Sequence, residues 1–354
     1  MDINYTEVSI IDLLGLIQGL ILGGILIYLG YKQQKATLFL GLFVIAYALD
    51  LLPDIIEELE VTNSYPQLNL LPFEFFWFLF PLFYIYVRQT SIIAPKKKAL
   101  SLLIPGGLVF LLNLVVYFQS NELKQTFADS IWYSFIDIAG LVFSLVIGVK
   151  TYFFINKHGQ ALRNQYSETQ KKELRWAKQF LLMGIVFTVF TQFDFVENNY
   201  YGSLLASIIN VALLYWVSVH GIMQKNIESL LPDLHEPDQV KLDTVDIKGD
   251  DKLKALFEKV EQSIIDNKTY IRQAITIVDV SNDINEHPKR VSQVINQETG
   301  KNFKAYINSF RINDAKAMLN DENASNLSIE GIGLEVGFKS KSSFYEAFKK
   351  ETGL

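Results

Sequence analysis

The chain has no cysteine, which excludes disulfides, thiolate nucleophiles and Cys-based metal sites. Histidine is nearly as scarce. Four residues, His158, His220, His235 and His287, are scattered over 354 positions. There is no Gly-rich phosphate loop, metal-ligand cluster or nucleophile–base constellation, so the sequence implies no reaction and no cofactor or metal, and the chain reads as a non-enzyme. The first nine residues hold Asp2 and Glu7 but no Lys or Arg, and no small-residue cleavage site follows the first apolar run. That pattern argues against a cleaved signal peptide and for a permanent membrane span. Charged residues make up only 20% of the chain, against 50% hydrophobic, with a formal net charge of −6.

These averages hide an asymmetry. Long apolar runs dominate up to about Ile222, and a charged, soluble-looking stretch follows Gln224. A helix needs ~20 mostly apolar residues to cross ~30 Å of hydrocarbon. Seven segments approach that: 10–30, 36–52, 70–87, 100–118, 131–149, 174–193 and 204–222, the second ended by Pro53. Lys and Arg near the spans set orientation. Lys32 and Lys35, then Arg88 and Lys96–Lys98, then Lys150, Lys157, Arg163, Lys171, Lys172 and Arg175 fall in alternate loops. The opposite side has Lys124 alone, among Asp54, Glu57, Glu58, Glu60, Glu122, Asp129, Asp194 and Glu197. The pattern places the N-terminus outside and the C-terminal domain in the cytoplasm of a bacterial inner membrane, with the lipid bilayer as a partner. Trp132 and Trp176 fall at span ends, where amphipathic rings favour the interface.

Polar groups inside spans are costly and therefore informative. Glu74 and Asp137 lie in outward halves of their spans, and Asp50 and Asp194 near outer ends. Together they suggest an outward-opening pocket for an unknown small-molecule or peptide signal, cationic or polar in character. The plainer alternative is that they are interfacial, protonated or hydrogen-bonded between helices. Asn113 and Asn210 read as interhelical hydrogen-bonding groups. No span carries the central lysine of a retinal protein, and the acids gather on one side rather than forming the midplane chain of a pump. His220, near the inner end of the last span, reads as a locally hydrogen-bonded residue.

Residues 223–251 contain Pro232, Pro237 and several acids without apolar period, and read as a cytoplasmic linker. Residues 252–265 show amphipathic helical spacing. Beyond Ala274 two stretches repeat one another, TIVDVSNDINEHPKRVSQVINQETG and SIEGIGLEVGFKSKSSFYEAFKKETG. Ile277, Val280 and Ile284 correspond to Ile329, Ile332 and Val336, and each unit closes with Glu-Thr-Gly. The periodicity predicts helix, tight turn, helix in both, over about 276–300 and 328–354. Gly337 and Asn285 occupy the turn position that requires a left-handed backbone. Residues 303–319 read as one long connecting helix. The predicted fold is all-α: a seven-transmembrane-helix bundle at 1–222, then a tandem helix-turn-helix domain at 252–354.

The strings IGLEVGFKSKSSFYEAFKKETG and KNFKAYINSFRINDAKAML resemble the AraC/XylS family of transcription regulators, in its second helix-turn-helix and its linker helix. The hydrophobic half, with FLFPLFYIYVR, resembles the multi-span regions of membrane-anchored members. The resemblance implies a sequence-specific regulator that binds double-stranded DNA as a homodimer, with the second helix of each unit in the major groove. It places Lys289, Ser292, Gln293, Lys341, Ser342 and Glu346 at base-reading positions. Arg290, Asn296, Lys339, Ser340 and Lys349 are candidates for phosphate contacts, and helical geometry leaves Ser343 and Tyr345 on the outward face as well. The family usually continues past the second recognition helix, where this sequence stops at Leu354. From Lys268 onward, 12 basic residues stand against 11 acidic ones, so general attraction to DNA is weak. A receptor or transporter whose helical domain binds other proteins is the alternative.

Overall fold

The computed structural model describes residues 5–32, 35–93, 99–167, 169, 173–191, 199–224, 250–320 and 328–353. Asp194, Lys96–Lys98, Lys171, Lys172, Leu354 and most of the expected linker (225–249) lie outside them. The described residues are almost entirely helical, with no strand beyond one isolated bridge. The chain divides into two compact units, Met1–Asn156 with Leu174–Ile227, and Lys157–Glu173 with Glu228–Leu354.

The first unit contains α1 (Glu7–Lys32), α2 (Lys35–Asp50), α3 (Leu52–Glu58), α4 (Val61–Ser64), α5 (Phe76–Thr90), α6 (Ile104–Tyr117) and α7 (Asn121–Ala128). The greater part of α8 (Ile131–Gln165) follows, then α9 (Arg175–Phe190) and α10 (Tyr200–Met223). Among the described residues five stretches are long and apolar enough to cross a membrane by length and composition: Glu7–Lys32, Lys35–Glu58, Leu100–Tyr117, Ile131–Gln165 and Tyr200–Met223. The remaining two expected segments contain α5 and α9, of 15 and 16 residues. Pro53 interrupts the second stretch rather than ending it. It sits in the first turn of α3, where the missing N–H has no intrahelical partner to lose.

Helix α1 packs on α2 and α10 through a stripe of small residues. Its buried positions include Ser9, Gly15, Gly19, Gly23 and Gly30, whereas Ile10, Leu14, Ile17 and Ile21 are exposed. A Cβ at Gly23 would lie 2.6 Å from Ile45 Cγ1, and one at Gly15 would lie 2.9 Å from Val211 Cγ2. Small side chains let helix axes approach where no hydrophobic effect drives them together. Buried polar pairs join the same helices: Ser207 Oγ donates to Asp12 at 2.9 Å, and Tyr47 OH donates to Asn210 at 2.7 Å.

The second unit contains α11 (Asp250–Asp266), α12 (Ile277–Asp283), α13 (Pro288–Thr299), α14 (Phe303–Leu319), α15 (Ile329–Glu335) and α16 (Lys341–Thr352). It has two cores. One joins Val260, Ile264, Ile277, Val280, Val291 and Ile295 to Phe303 and Ile307. The other joins Ile332, Val336, Phe338 and Phe344 to Ile312 and Ala315. The first half of α14 therefore belongs to one core and its second half to the other, as expected for a helix that fixes the spacing of two units.

This unit also takes in residues 157–173, which the sequence presents only as a basic inner loop. The span expected to stop at Val149 continues as helix to Gln165, because no proline in residues 150–165 forces it to end. Beyond it, Tyr166 bridges Thr276 in antiparallel fashion, and the Ser167 amide and hydroxyl both donate to the Ile275 carbonyl, at 3.2 and 2.8 Å. Lys304 Nζ donates to Thr169 Oγ1 at 2.9 Å, and that hydroxyl donates to Glu173 at 2.8 Å.

Candidate nucleic-acid interface and membrane-unit cavity

Capping residues fix where α13 and α16 begin. His287 Nδ1 accepts from the Lys289 amide at 3.2 Å, and Pro288 occupies the first turn of α13. The Ser340 hydroxyl accepts from the Ser343 amide at 3.3 Å. The preceding helices are capped too, α12 by a Thr276–Asp279 capping box and α15 by Ser328. The repeated Glu-Thr-Gly ends are structurally alike. Thr299 and Thr352 hydroxyls donate back to Ile295 and Phe348 carbonyls at 2.6 and 2.7 Å, and Gly300 and Gly353 adopt left-handed φ of 66° and 77°.

The turns inside both units are left-handed where the sequence predicts: Asn285 has φ 53° and Gly337 φ 97°. At Gly337 a side chain would also strike the Ile271 carbonyl, so the position excludes a Cβ on two grounds. Arg311, absent from the sequence-derived candidates, is 1% exposed. Its Nε donates to the Tyr270 carbonyl at 2.6 Å and Nη2 to the Arg272 carbonyl at 2.8 Å, while its plane lies over Phe338. One turn further along α14, Asp314 accepts from Tyr270 OH at 2.7 Å. Burial, then that bond to Asp314, pushes the Tyr270 hydroxyl up to about 12.

On α13, Lys289, Gln293 and Asn296 are exposed and Arg290 and Ser292 half-buried. Arg290 pairs with Glu286 at 2.8 Å, so a phosphate contact would require it to exchange that partner. Around α16, Lys339, Lys341, Ser342, Tyr345, Glu346 and Lys349 are exposed and Ser340 half-buried. Ser343 does not face outward. It is 7% exposed and its hydroxyl donates to the Ser340 carbonyl at 2.9 Å, because a serine three residues into a Ser-capped helix folds back onto the cap. Lys301 pairs with Glu351 at 2.9 Å, joining the ends of the two repeats.

In the first unit, Asp50, Glu74 and Asp137 line one cavity of 490 Å³, with Asp54 as a fourth carboxylate. Asp54 reads from sequence only as one of many outer-side acids, and the return of the chain through α3 is what brings it here. Glu74 accepts from Asn113 and Tyr133, both at 3.0 Å, and Asp50 accepts from the Phe75 amide. The wall carries eight aromatic rings. Trp77 is held against Phe143 with ring centroids 5.5 Å apart, and it lies so near Gly140 that a Cβ there would sit 2.8 Å from its Nε1. His220 is stacked between Trp216 and Trp176, with Nδ1 2.9 Å from the Trp216 carbonyl, a local bonding role.

The C-terminal arrangement of paired, capped helices defines a helix-turn-helix domain, and residues 280–354 match the family described as "Helix-turn-helix domain". The chain is similar to the melibiose operon regulatory protein of Escherichia coli strain K12, with 34% identity over 82 residues. The protein of the same name from E. coli O6:H1 strain CFT073 gives the same identity. The aligned part is 23% of this chain and 26% of those relatives, so the chain spans about a quarter of their length. No solved structure matches.

Proposed function

We propose that this protein is a membrane-tethered, sequence-specific DNA-binding transcription regulator of the AraC/XylS type, with α13 and α16 as its recognition helices. The single observation that carries the reading is the pairing of two exposed, N-capped helices through the one rigid helix α14. The matched family and the melibiose operon regulatory protein, which its name calls regulatory, support it. Lys289, Ser292, Gln293, Lys341, Ser342 and Glu346 read base edges in the major groove, with Tyr345 on the same outward face. Arg290, Asn296, Lys339, Ser340 and Lys349 hold phosphates, contacts that position the domain without reading sequence. Near balance of charge in the domain makes one copy bind weakly, and a homodimer on DNA compensates by effective concentration.

The first unit is the tether. On α1, α6 and α8 the exposed faces are apolar (Ile17 at 54%, Leu108 at 64%, Phe135 at 63%), while the buried face of α1 is small and polar. That inverts the arrangement of a soluble protein and suits helices whose outer faces meet lipid. With the N-terminus outside and the DNA-binding domain in the cytoplasm, Asp50, Glu74, Asp137 and, beyond the described residues, Asp194 form the receiving site for a signal. The test is selection of bound sequences from a random duplex library by the purified full-length protein. The expected outcome is an enriched motif with two elements about one helical turn apart. A Lys289→Ala/Gln293→Ala/Lys341→Ala variant should lose it. Uniform, salt-sensitive binding without enrichment would refute the reading.

A further inference from the structure

We propose that the 490 Å³ cavity of the first unit binds an organic cation, an ammonium or quaternary amine carried on an aromatic or aliphatic body. The assignment rests on the sensing reading above only for its consequence, not for its chemistry. Among the described residues four carboxylates line the cavity, and no Lys, Arg or His does. Two of the four are already engaged: Glu74 by Asn113 and Tyr133, and Asp50 by the Phe75 amide. Asp54 on α3 and Asp137 on α8 have no hydrogen-bond partner among the described residues, which leaves their oxygens for a guest.

Ligand classes separate on charge and shape. An anion meets four carboxylates and no base. A neutral apolar guest would cover the exposed carboxyls of Asp54 and Asp137 without offering them a partner, and polar groups buried unpaired are costly. A bare metal ion needs converging ligands, and among the described residues no group of three His, Asp or Glu side chains is placed to hold one. The rest of the wall is aromatic. Phe43, Phe80, Phe83, Trp77 and Phe180 line it, and aromatic rings attract a cation through their quadrupole while enclosing its apolar body. The volume falls within the range of small-molecule sites. Gly140, by admitting Trp77 against α8, keeps the widest of these rings in the wall.

The experiment uses the full-length protein in nanodiscs and three probes of nearly equal shape: benzyltrimethylammonium, its neutral isostere neopentylbenzene, and the anion phenylacetate. Tetramethylammonium and spermidine extend the cationic set. Binding is read by quenching of Trp77 fluorescence, with Trp77→Phe as the control, and by thermal shift. At least one cation should bind saturably, at least tenfold more tightly than neopentylbenzene, with phenylacetate undetected. Asp54→Asn and Asp137→Asn, isosteric changes at the two uncommitted carboxylates, should each weaken cation binding by tenfold or more while leaving the unliganded melting temperature nearly unchanged. Asp137→Glu should retain binding. Equal affinity for the cation and its isostere, preference for the anion, unchanged affinity in both Asn variants, or no binding by any cation would each overturn the assignment. Recovery of an enriched DNA motif is measured separately. Cation binding without a motif would sink the regulator reading and leave the cavity intact, and a motif without cation binding would do the reverse.

Discussion

Gly337 and Arg311 sit in contact with the same short segment, Tyr270–Arg272, and the Arg311 guanidinium lies over Phe338, the next residue to Gly337. Gly337 must be left-handed and must lie on the Ile271 carbonyl. Gly337→Ala combines a left-handed penalty of about 1–2 kcal/mol with a backbone clash, so the melting temperature of the full-length protein should fall by several degrees. An unchanged melting temperature would show that the turn relaxes freely. Arg311→Met leaves the buried Tyr270 carbonyl without its side-chain donor, while the Arg272 carbonyl keeps the Ile275 amide, a loss of roughly 1–3 kcal/mol, and protease cleavage between the two repeats should accelerate. The two residues differ in how visible they are beforehand. A glycine in a helix-helix turn announces its conformation, whereas Arg311 looks like any basic residue on an amphipathic helix until tertiary contacts bury it. Ser343 illustrates the converse: helical phase puts it outward, but a serine cap three residues earlier turns its hydroxyl back to the backbone. For the exposed set, Lys289→Ala or Gln293→Ala should each weaken specific DNA binding by about 1–3 kcal/mol and relax preference at one position, while Lys349→Ala should lower the salt slope by about one.

At the scale of elements, apolar period was enough to find the helices but not how they meet. The repeat around α12–α13 and α15–α16 carries its own punctuation in Thr276, Pro288, Ser328 and Ser340, so its helix starts were readable. The long apolar runs carry little such punctuation, so the sequence shows neither that α8 continues to Gln165 nor that α3 takes Pro53 into its first turn. The small-residue stripe of α1 was present in the sequence as Gly15, Gly19 and Gly23 but gains meaning only with α2 and α10 against it. Gly23→Val should force the α1–α2 pair apart, an overpacking cost of ~1–3 kcal/mol, seen as a lower melting temperature in detergent. Gly24→Val, one position away where a Cβ meets nothing, should be neutral. Tyr166, Ser167 and Thr169 gain their place from partners more than a hundred residues away. Lys304→Ala should therefore raise hydrogen exchange at Ser167 and across 157–173, leaving the core of α13 protected; equal exchange in both proteins would mean the contact is not held in solution.

At the scale of the whole molecule, the chain reaches the helix-turn-helix unit twice, once through residues 157–173 and once through the stretch that follows α10. Hydropathy and charge alone revealed a hydrophobic half and a charged half. They could not reveal the first of these connections, since a hydrogen-bonded loop has no compositional mark. The cavity was half legible: Asp50, Glu74 and Asp137 stood out as acids in apolar surroundings, but their aromatic enclosure depends on α2, α5 and α9 folding together. The central claim is that one intact chain is held in a membrane while reading DNA sequence. It is tested most directly by genome-wide mapping of DNA crosslinked to the full-length protein recovered from the membrane fraction, beside its Lys289→Ala/Gln293→Ala/Lys341→Ala variant. Discrete sites sharing one motif, present for the native protein and lost in the variant at equal membrane abundance, are the predicted result. A profile without discrete sites, or sites that persist in the variant, would contradict it.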